Sequence, residues 1–113
     1  MQKMTLTELP YDNMPCEGIH YHILKRCQYG HTALLRLDAG CRLPAQRHPG
    51  WVKLVVLTGR LVVNDHSLHS HDVLMLPAGT VYTAHAENDV LCLAVSEAGR
   101  RGAGFVMLSS WGS

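Results

Sequence analysis

The chain has 113 residues, of which 47% are hydrophobic and 17% are charged, and its formal net charge is +1. This length corresponds to one folded domain, and so small a net charge gives no electrostatic footprint for nucleic acid. The longest apolar run, residues 90–95, is far shorter than the ~20 residues of a membrane-spanning helix. Because the N-terminal residues also lack the apolar segment of a signal peptide, the sequence predicts a cytoplasmic protein that binds neither nucleic acid nor a membrane.

Short apolar segments alternate with turn residues along the chain. Turn pairs such as Tyr29-Gly30 and Thr58-Gly59 separate segments that are rich in Val, Leu and Tyr and too short for most helices. This pattern predicts an all-β fold, a sandwich or barrel of antiparallel strands. An N-terminal arm, residues 1–18, is expected to precede a single domain, residues 19–113. The predicted strands are residues 19–27, 32–37, 51–57, 60–63, 73–76 and 90–95, and residues 105–108 are a further candidate.

Two of the predicted strands are apolar at nearly every position. They are WVKLVVL, residues 51–57, and the strand within VLMLPA, residues 73–78. A strand with one face in water alternates apolar and polar residues, so both faces of these strands must be covered. One face would line a barrel interior, while the other would be covered by the arm or by a second subunit. The sequence therefore predicts a homodimer.

Two segments resemble the paired motifs of the cupin superfamily. The first, GCRLPAQRHPGWVKLVVLTG at residues 40–59, is similar to the pattern G-x5-H-x-H-x3,4-E-x6-G. The second, HDVLMLPAGTVY at residues 71–82, is similar to G-x5-P-x-G-x2-H. Within the superfamily, the sequence is most similar to the ChrR-type cupin domain of zinc-dependent anti-sigma factors. The resemblance implies an RmlC-like fold, a cupin-type antiparallel β-barrel also called a double-stranded β-helix or jelly roll.

The resemblance also implies where a metal would lie. In the family, two histidines and a glutamate of the first motif and one histidine of the second hold a divalent metal inside the barrel. The matching positions in this chain are Gln46, His48, Val52 and Tyr82. Only His48 is a matching ligand, and Val52 places an apolar group where the anionic ligand belongs. The metal-ligand positions are therefore expected to be degenerate.

The residues around these positions restrict the metal chemistry further. Residues 39–64 and 73–86 contain no Asp or Glu, so neither motif supplies a local carboxylate ligand. Non-haem Fe(II) oxygenases and Mn or Mg sites depend on such oxygen anions. The metal set Gln46, His48 and Tyr82 is neutral and has imidazole as its one strong donor. It favours either no cofactor or a weakly held divalent metal, with Zn, Ni or Cu preferred over Fe or Mn.

The spacing of the first motif predicts a pocket. Residues two apart in a strand share a face, so Gln46 and His48 point into the barrel, as do Val52 and Leu54. With Tyr82 near the barrel mouth, these residues form the predicted ligand pocket. The leading hypothesis is a small cupin-domain protein that binds a small molecule in this pocket. The alternative is a metal-dependent cupin enzyme, a dioxygenase, isomerase or lyase, with a non-standard ligand set centred on His48.

The other seven of the eight histidines are expected in the arm, in hairpins or on outward positions. His20 and His22 share a strand face, which suits either a metal pair or an exposed surface. His85 points outward under strict alternation, and only a bulge would turn it inward. The hairpin histidines can capture metal adventitiously, and their role is left open. These hairpin residues are His66, His69 and His71.

Three further features of the sequence bear on function. Cys41 is a candidate thiolate if it faces His48, although Pro44 leaves its direction open, and no C-x-x-C pair occurs among the four cysteines. His71 occupies a position where the cupin pattern prefers glycine, so its backbone is expected to have a positive φ. The arm is too short for a separate zinc domain that holds a sigma factor, so sigma-factor binding is not expected.

Overall fold

The structure is a computed structural model that describes residues 1–97. This part of the chain contains ten strands and one 3-10 helix, Leu6–Glu8, and none of its helices could cross a membrane. The strands are β1 (Asp12–Asn13), β2 (Ile19–Cys27), β3 (Gly30–Leu37), β4 (Arg42–Arg47), β5 (Val52–Thr58), β6 (Leu61–Val63), β7 (His66–Leu68), β8 (Val73–Leu76), β9 (Val81–Ala86) and β10 (Val90–Glu97).

The strands form two antiparallel sheets that enclose the core. The six-stranded sheet has the order β1-β2-β3-β10-β5-β8, and the four-stranded sheet has the order β4-β9-β6-β7. Alternate residues of both sheets are buried between them, and Val56, Ala86 and Cys92 are at most 1% exposed. The all-β prediction is confirmed, and the arrangement is that of a jelly roll, which places the first-motif strands β4 and β5 in opposite sheets.

Most of the predicted strands are present with shifts of one or two residues at their ends. Predicted strands 19–27 and 73–76 coincide with β2 and β8. However, β3 begins two residues before the predicted boundary and β10 continues two residues beyond it, to Glu97. These extensions move His31 and Ser96 from predicted turn or loop positions into the six-stranded sheet. The candidate strand 105–108 lies outside the described residues.

The arm is fastened to the β2 edge of the six-stranded sheet. Strand β1 pairs with β2 in antiparallel register. The Nδ1 atom of His20 lies 2.7 Å from Oδ1 of Asn13, and Nδ1 of His22 lies 2.8 Å from the carbonyl oxygen of Pro10, to which it donates. Each histidine therefore contacts a different residue of the arm, and their shared strand face serves to attach the arm.

Several turns contain residues in left-handed backbone conformations, including His71, Gly59 and Gly40. His71 has a φ of 76°, which confirms the positive φ expected at this glycine position of the motif. Gly59 has a φ of 92°, and a Cβ atom there would overlap the carbonyl oxygen of Asp89. Gly40 has a φ of 85° but open space around it, because a Cβ atom there would meet nothing within 4 Å. Of these two glycine turns, only the one at Gly59 is thus restricted by packing as well as by φ.

Candidate functional site

Gln46 and Tyr82 form a directly opposed pair across β4 and β9, with both side chains buried. Nε2 of Gln46 donates a hydrogen bond of 3.0 Å to the carbonyl oxygen of Pro44. Within residues 1–97, neither Oε1 of Gln46 nor the Tyr82 hydroxyl has a hydrogen-bond partner. Burial raises the pKa of Tyr82 well above its usual range, so this phenol stays protonated at neutral pH.

His48 follows β4 directly, and its side chain is 5% exposed. The backbone N–H of Gly50 donates to Nδ1 of His48 at 3.1 Å, and the Gly50 carbonyl oxygen lies 3.2 Å from the same nitrogen. A buried backbone N–H is left without a partner more rarely than a carbonyl oxygen is, so we assign the neutral tautomer in which Nδ1 accepts from the Gly50 N–H and Nε2 carries the proton. Burial lowers the pKa of His48, which favours this neutral form. Nε2 is buried and has no partner among the described residues, so His48 presents a free N–H donor.

Val52 and Leu54 confirm the predicted alternation of β5. They are 1% and 3% exposed, while Lys53 between them is partly exposed. Leu54 and Tyr82 line a small cavity of about 20 Å³, enough for about one water molecule. Gln46, His48 and Val52 do not line this cavity. Its other walls are Ile19, Leu35, Leu37, Leu43, Leu61, Ala84 and Cys92.

Two further polar residues lie on the inner face of the six-stranded sheet. Ser96 of β10 pairs with His31 of β3 on one side and with Val52 of β5 on the other. His31 and Ser96 are each 5% exposed. The expectation that His48 alone among the histidines points inward is therefore wrong. Burial, Arg26 and His48, in that order, lower the pKa of His31, so the two buried imidazoles interact electrostatically.

The inward position of His31 has a local signal in the sequence. Ala33, Leu35 and Leu37 alternate along β3, and continuing this period of two backwards reaches His31. In the sequence prediction, the Tyr29-Gly30 turn signal outweighs this alternation. The predicted strand therefore begins at residue 32, after His31. Ser96 likewise begins a stretch of small residues typical of a loop, although it continues the buried alternation of Cys92 and Ala94.

The remaining candidates do not belong to the set of buried polar residues, which comprises His31, Gln46, His48, Tyr82 and Ser96. His85 is half-buried on β9, between buried Ala84 and Ala86, and points to the outer face as predicted. The hairpin residues His66, His69 and His71 are exposed. Burial, followed by the charges of Asp38 and Cys16, raises the pKa of Cys41. His48 is not among the groups that act on this thiol, and the structure gives no support to a Cys41–His48 nucleophile.

Larger openings lie outside the space between the sheets. A cleft of about 320 Å³ separates the arm from the end of the six-stranded sheet, where the guanidinium of Arg36 lies 5.0 Å from the ring centroid of Tyr11. A second cleft of about 230 Å³ lies where β3 begins and β10 ends, and His31 and Ser96 are among its lining residues. His31 and Ser96, although each is only 5% exposed, therefore border an opening at the surface.

The side chains at the family's ligand positions do not form a full metal-ligand set. Val52 has no donor atom, Gln46 is a neutral amide, and His48 is the one imidazole among the four positions. Among residues 1–97 there is no group of three His, Cys, Asp or Glu side chains that could hold a metal. The side chains of Gln46, His48 and Tyr82 can instead form hydrogen bonds as donors and acceptors.

Comparison with known proteins identifies the class of this fold. The model of the ChrR Cupin-like domain family matches residues 2–99, and the chain therefore belongs to that family of cupins. No curated protein matches the sequence. In the crystal structure of Rhodobacter sphaeroides SigE in complex with the anti-sigma ChrR, the similar chain is 22% identical, with a TM-score of 0.75. The match covers 81% of this chain but 50% of that one, so this chain spans half the length of that relative.

Other solved structures share the fold at lower identity. An RmlC-like cupin from Shewanella frigidimarina is 14% identical with a TM-score of 0.77, and the match covers 86% of this chain and 90% of that one. An acetylacetone dioxygenase from Acinetobacter johnsonii is 13% identical with a TM-score of 0.75, with coverages of 91% and 80%. At these identities the similarities establish the cupin fold and leave the activity to be argued from the site.

Proposed function

We propose that this protein is a small-molecule-binding cupin whose ligand is a neutral polar molecule held by Gln46, His48 and Tyr82. One observation carries the proposal: these three side chains are buried, yet each has a polar atom without a partner in residues 1–97. Leaving a buried polar group unpaired costs about 1–3 kcal/mol. A ligand that pairs with these atoms recovers that free energy, and this gain favours binding.

The hydrogen-bonding character of the three atoms defines the chemistry of the ligand. His48 Nε2–H and the Tyr82 hydroxyl are donors, and Oε1 of Gln46 is an acceptor. None of the three groups is charged at neutral pH, since burial lowers the pKa of His48 and raises that of Tyr82. A ligand with a carbonyl oxygen next to a hydroxyl or amide N–H complements this set.

The packing of the barrel restricts the size of the ligand. The apolar cavity beside Tyr82 is about 20 Å³, so a ligand of more than a few non-hydrogen atoms requires the two sheets to move apart. We propose that a ligand enters from the cleft of about 230 Å³, because His31 lines this cleft and interacts electrostatically with His48. We therefore expect small fragments to bind faster than larger ligands.

A metal-dependent enzyme is the second candidate, and His31 is the observation that favours it. This buried residue brings a second imidazole into electrostatic range of His48. A weakly held Zn, Ni or Cu ion would need His48 to move its proton from Nε2 to Nδ1 and would displace the Gly50 N–H from its acceptor. The dioxygenase, isomerase or lyase activities predicted from the sequence all depend on this rearrangement.

We also propose that the protein is a cytoplasmic homodimer, as the sequence predicts. On the outer face of the six-stranded sheet, Leu93 pairs with Val55, and Val55 pairs with Val73 of the edge strand β8. Val73 is 54% exposed and Met75 is 55% exposed, so the apolar row continues to the edge of the sheet. A second copy of this face would cover it. The molar mass measured by light scattering should be that of a dimer for the wild type and that of a monomer for Val73→Lys. A monomeric mass for the wild type would contradict the proposed dimer.

The test of ligand binding uses acetamide, which has one carbonyl oxygen and amide N–H donors. Chelator-treated, 15N-labelled protein is titrated with acetamide and followed by NMR. We expect saturable shifts at the backbone amides of Gln46, His48 and Tyr82. Tyr82→Phe should weaken binding by about 2- to 10-fold, the value of one hydrogen bond.

Thr83→Val is the matched control, because Thr83 follows Tyr82 on β9 and its side chain is exposed on the opposite face. This variant should bind acetamide as the wild type does. Shifts that never saturate, or equal affinities for the wild type and Tyr82→Phe, would contradict the proposed ligand site.

A further inference from the structure

Cys16 and Cys41 lie in two turns that the backbone holds side by side. The Ile19 N–H donates to the Cys16 carbonyl oxygen at 3.4 Å, which closes the first turn. The Cys41 N–H donates to the Asp38 carbonyl oxygen at 3.1 Å, which closes the second. The Asp38 N–H donates to the Gly18 carbonyl oxygen at 2.8 Å and joins the two turns. A Cβ atom at Gly18 would lie 3.1 Å from Cβ of Cys41, so the turns are in close contact.

The surroundings of the two thiols differ from those of the other cysteines. Cys16 and Cys41 are both free and half-buried, and both pack against the same core. The charge of Cys16 is one of the causes that raise the pKa of Cys41, which agrees with their closeness. Cys27 is exposed at the end of β2, and Cys92 is fully buried in β10.

We propose that Cys16 and Cys41 are an oxidation site at which a peroxide forms a disulfide between the N-terminal arm and the barrel. One thiol loses its proton, and the thiolate attacks the peroxide and becomes a sulfenic acid. When the oxidant is hydrogen peroxide, the hydroxide that leaves takes up this proton and becomes water. The second thiol then attacks the sulfenic sulfur, forms the S–S bond and releases a second water. Two thiols and one peroxide thus give one disulfide and two waters. The site does not depend on the ligand proposed above.

Burial and the negative charge of Asp38 raise the pKa of the Cys41 thiol, so this thiol is a poor nucleophile at neutral pH and we expect the disulfide to form faster as the pH rises. The resulting bridge fastens the arm to the turn that precedes β4 and removes conformational freedom from the unfolded chain.

The test treats the full chain with hydrogen peroxide, blocks the remaining thiols with N-ethylmaleimide and maps tryptic peptides by mass spectrometry. Trypsin separates the relevant cysteines, with Cys16 in residues 4–25, Cys27 in residues 27–36 and Cys41 in residues 37–42. We expect peptides 4–25 and 37–42 to be joined, with a mass about 2 Da below their sum because two hydrogens are lost. Dithiothreitol should separate them again.

Three variants and a denatured sample decide the result. Cys16→Ser and Cys41→Ser should each abolish the joined peptide, whereas Cys27→Ser should retain it. Oxidation of the wild type should raise Tm by about 8–16 °C, and Cys16→Ser should not show this rise. The proposal is overturned if the folded protein forms no joined peptide, or if it forms the same mixture of pairings, including those of Cys27, as protein oxidised in urea.

Discussion

The free-energy cost of an unpaired polar atom in the core can be measured directly at the Tyr82 hydroxyl. The Tyr82 side chain is 2% exposed, and its hydroxyl has no partner in residues 1–97. Tyr82→Phe removes this oxygen and keeps the ring that packs against Leu54 and Ala84 around the small cavity. Removing an unpaired buried hydroxyl recovers part of a desolvation penalty of about 1–3 kcal/mol, while loss of its packing contacts offsets some of that gain. We therefore expect Tyr82→Phe to raise the free energy of unfolding by about 1 kcal/mol.

Urea unfolding of refolded, ligand-free protein measures this change, and the same gain should appear as a rise in Tm of about 4 °C. Tyr11→Phe is the control, because the Tyr11 hydroxyl donates to the Leu6 carbonyl oxygen at 3.1 Å. Its loss should leave stability unchanged or lower it by up to about 1 kcal/mol. A loss of about 1 kcal/mol or more in Tyr82→Phe would refute the reasoning, since it would mean that the hydroxyl has a partner in the ligand-free protein.

Three further predictions concern pH and backbone conformation. Burial lowers the pKa of both His31 and His48 in the folded state, so the unfolded chain binds more protons below its usual histidine pKa of about 6.5. The free energy of unfolding should therefore fall as the pH decreases from about 6.5. Between pH 7.5 and 5.5, the urea midpoint of His48→Gln should fall less than that of the wild type. An equal fall in the two proteins contradicts this prediction. Gly59→Ala should lower stability by about 3 kcal/mol or more and Gly40→Ala by about 1 kcal/mol, because only the first adds a clash to the cost of positive φ. His71→Gly should raise stability by up to about 1 kcal/mol by relieving a φ of 76°, and a clear loss in thermal unfolding would argue against strain there.

Local sequence signals were sufficient for the all-β class and for the burial of the first-motif residues, although β4 and β9 were not among the predicted strands. Alternation within the first motif placed Gln46, His48, Val52 and Leu54 on the inner faces, and all four are buried. This prediction succeeds because the direction of a strand side chain repeats every two residues, and turn residues mark where each strand ends. The same local rule fails at strand ends, where one or two residues decide whether a side chain is in the sheet or in a turn.

Other properties of the site depend on contacts between distant segments. His31 and Ser96 come together through the register of β3 with β10, which no local pattern contains. The tautomer of His48 depends on the backbone N–H of Gly50 and on the course of the chain after β4. The size of the cavity depends on how tightly side chains of both sheets interlock, which cannot be obtained from motif spacing.

The protonation of the His48 ring in the presence of zinc tests the central claim most directly. Long-range 1H–15N NMR of chelator-treated protein identifies which ring nitrogen carries the proton, before and after one equivalent of ZnCl₂ at pH 7. A neutral hydrogen-bonding site predicts that Nε2 of His48 keeps its proton and that Nδ1 continues to accept from Gly50. Transfer of the proton to Nδ1 with stoichiometric zinc on Nε2, abolished in His48→Ala, would show instead that the barrel has kept a metal site.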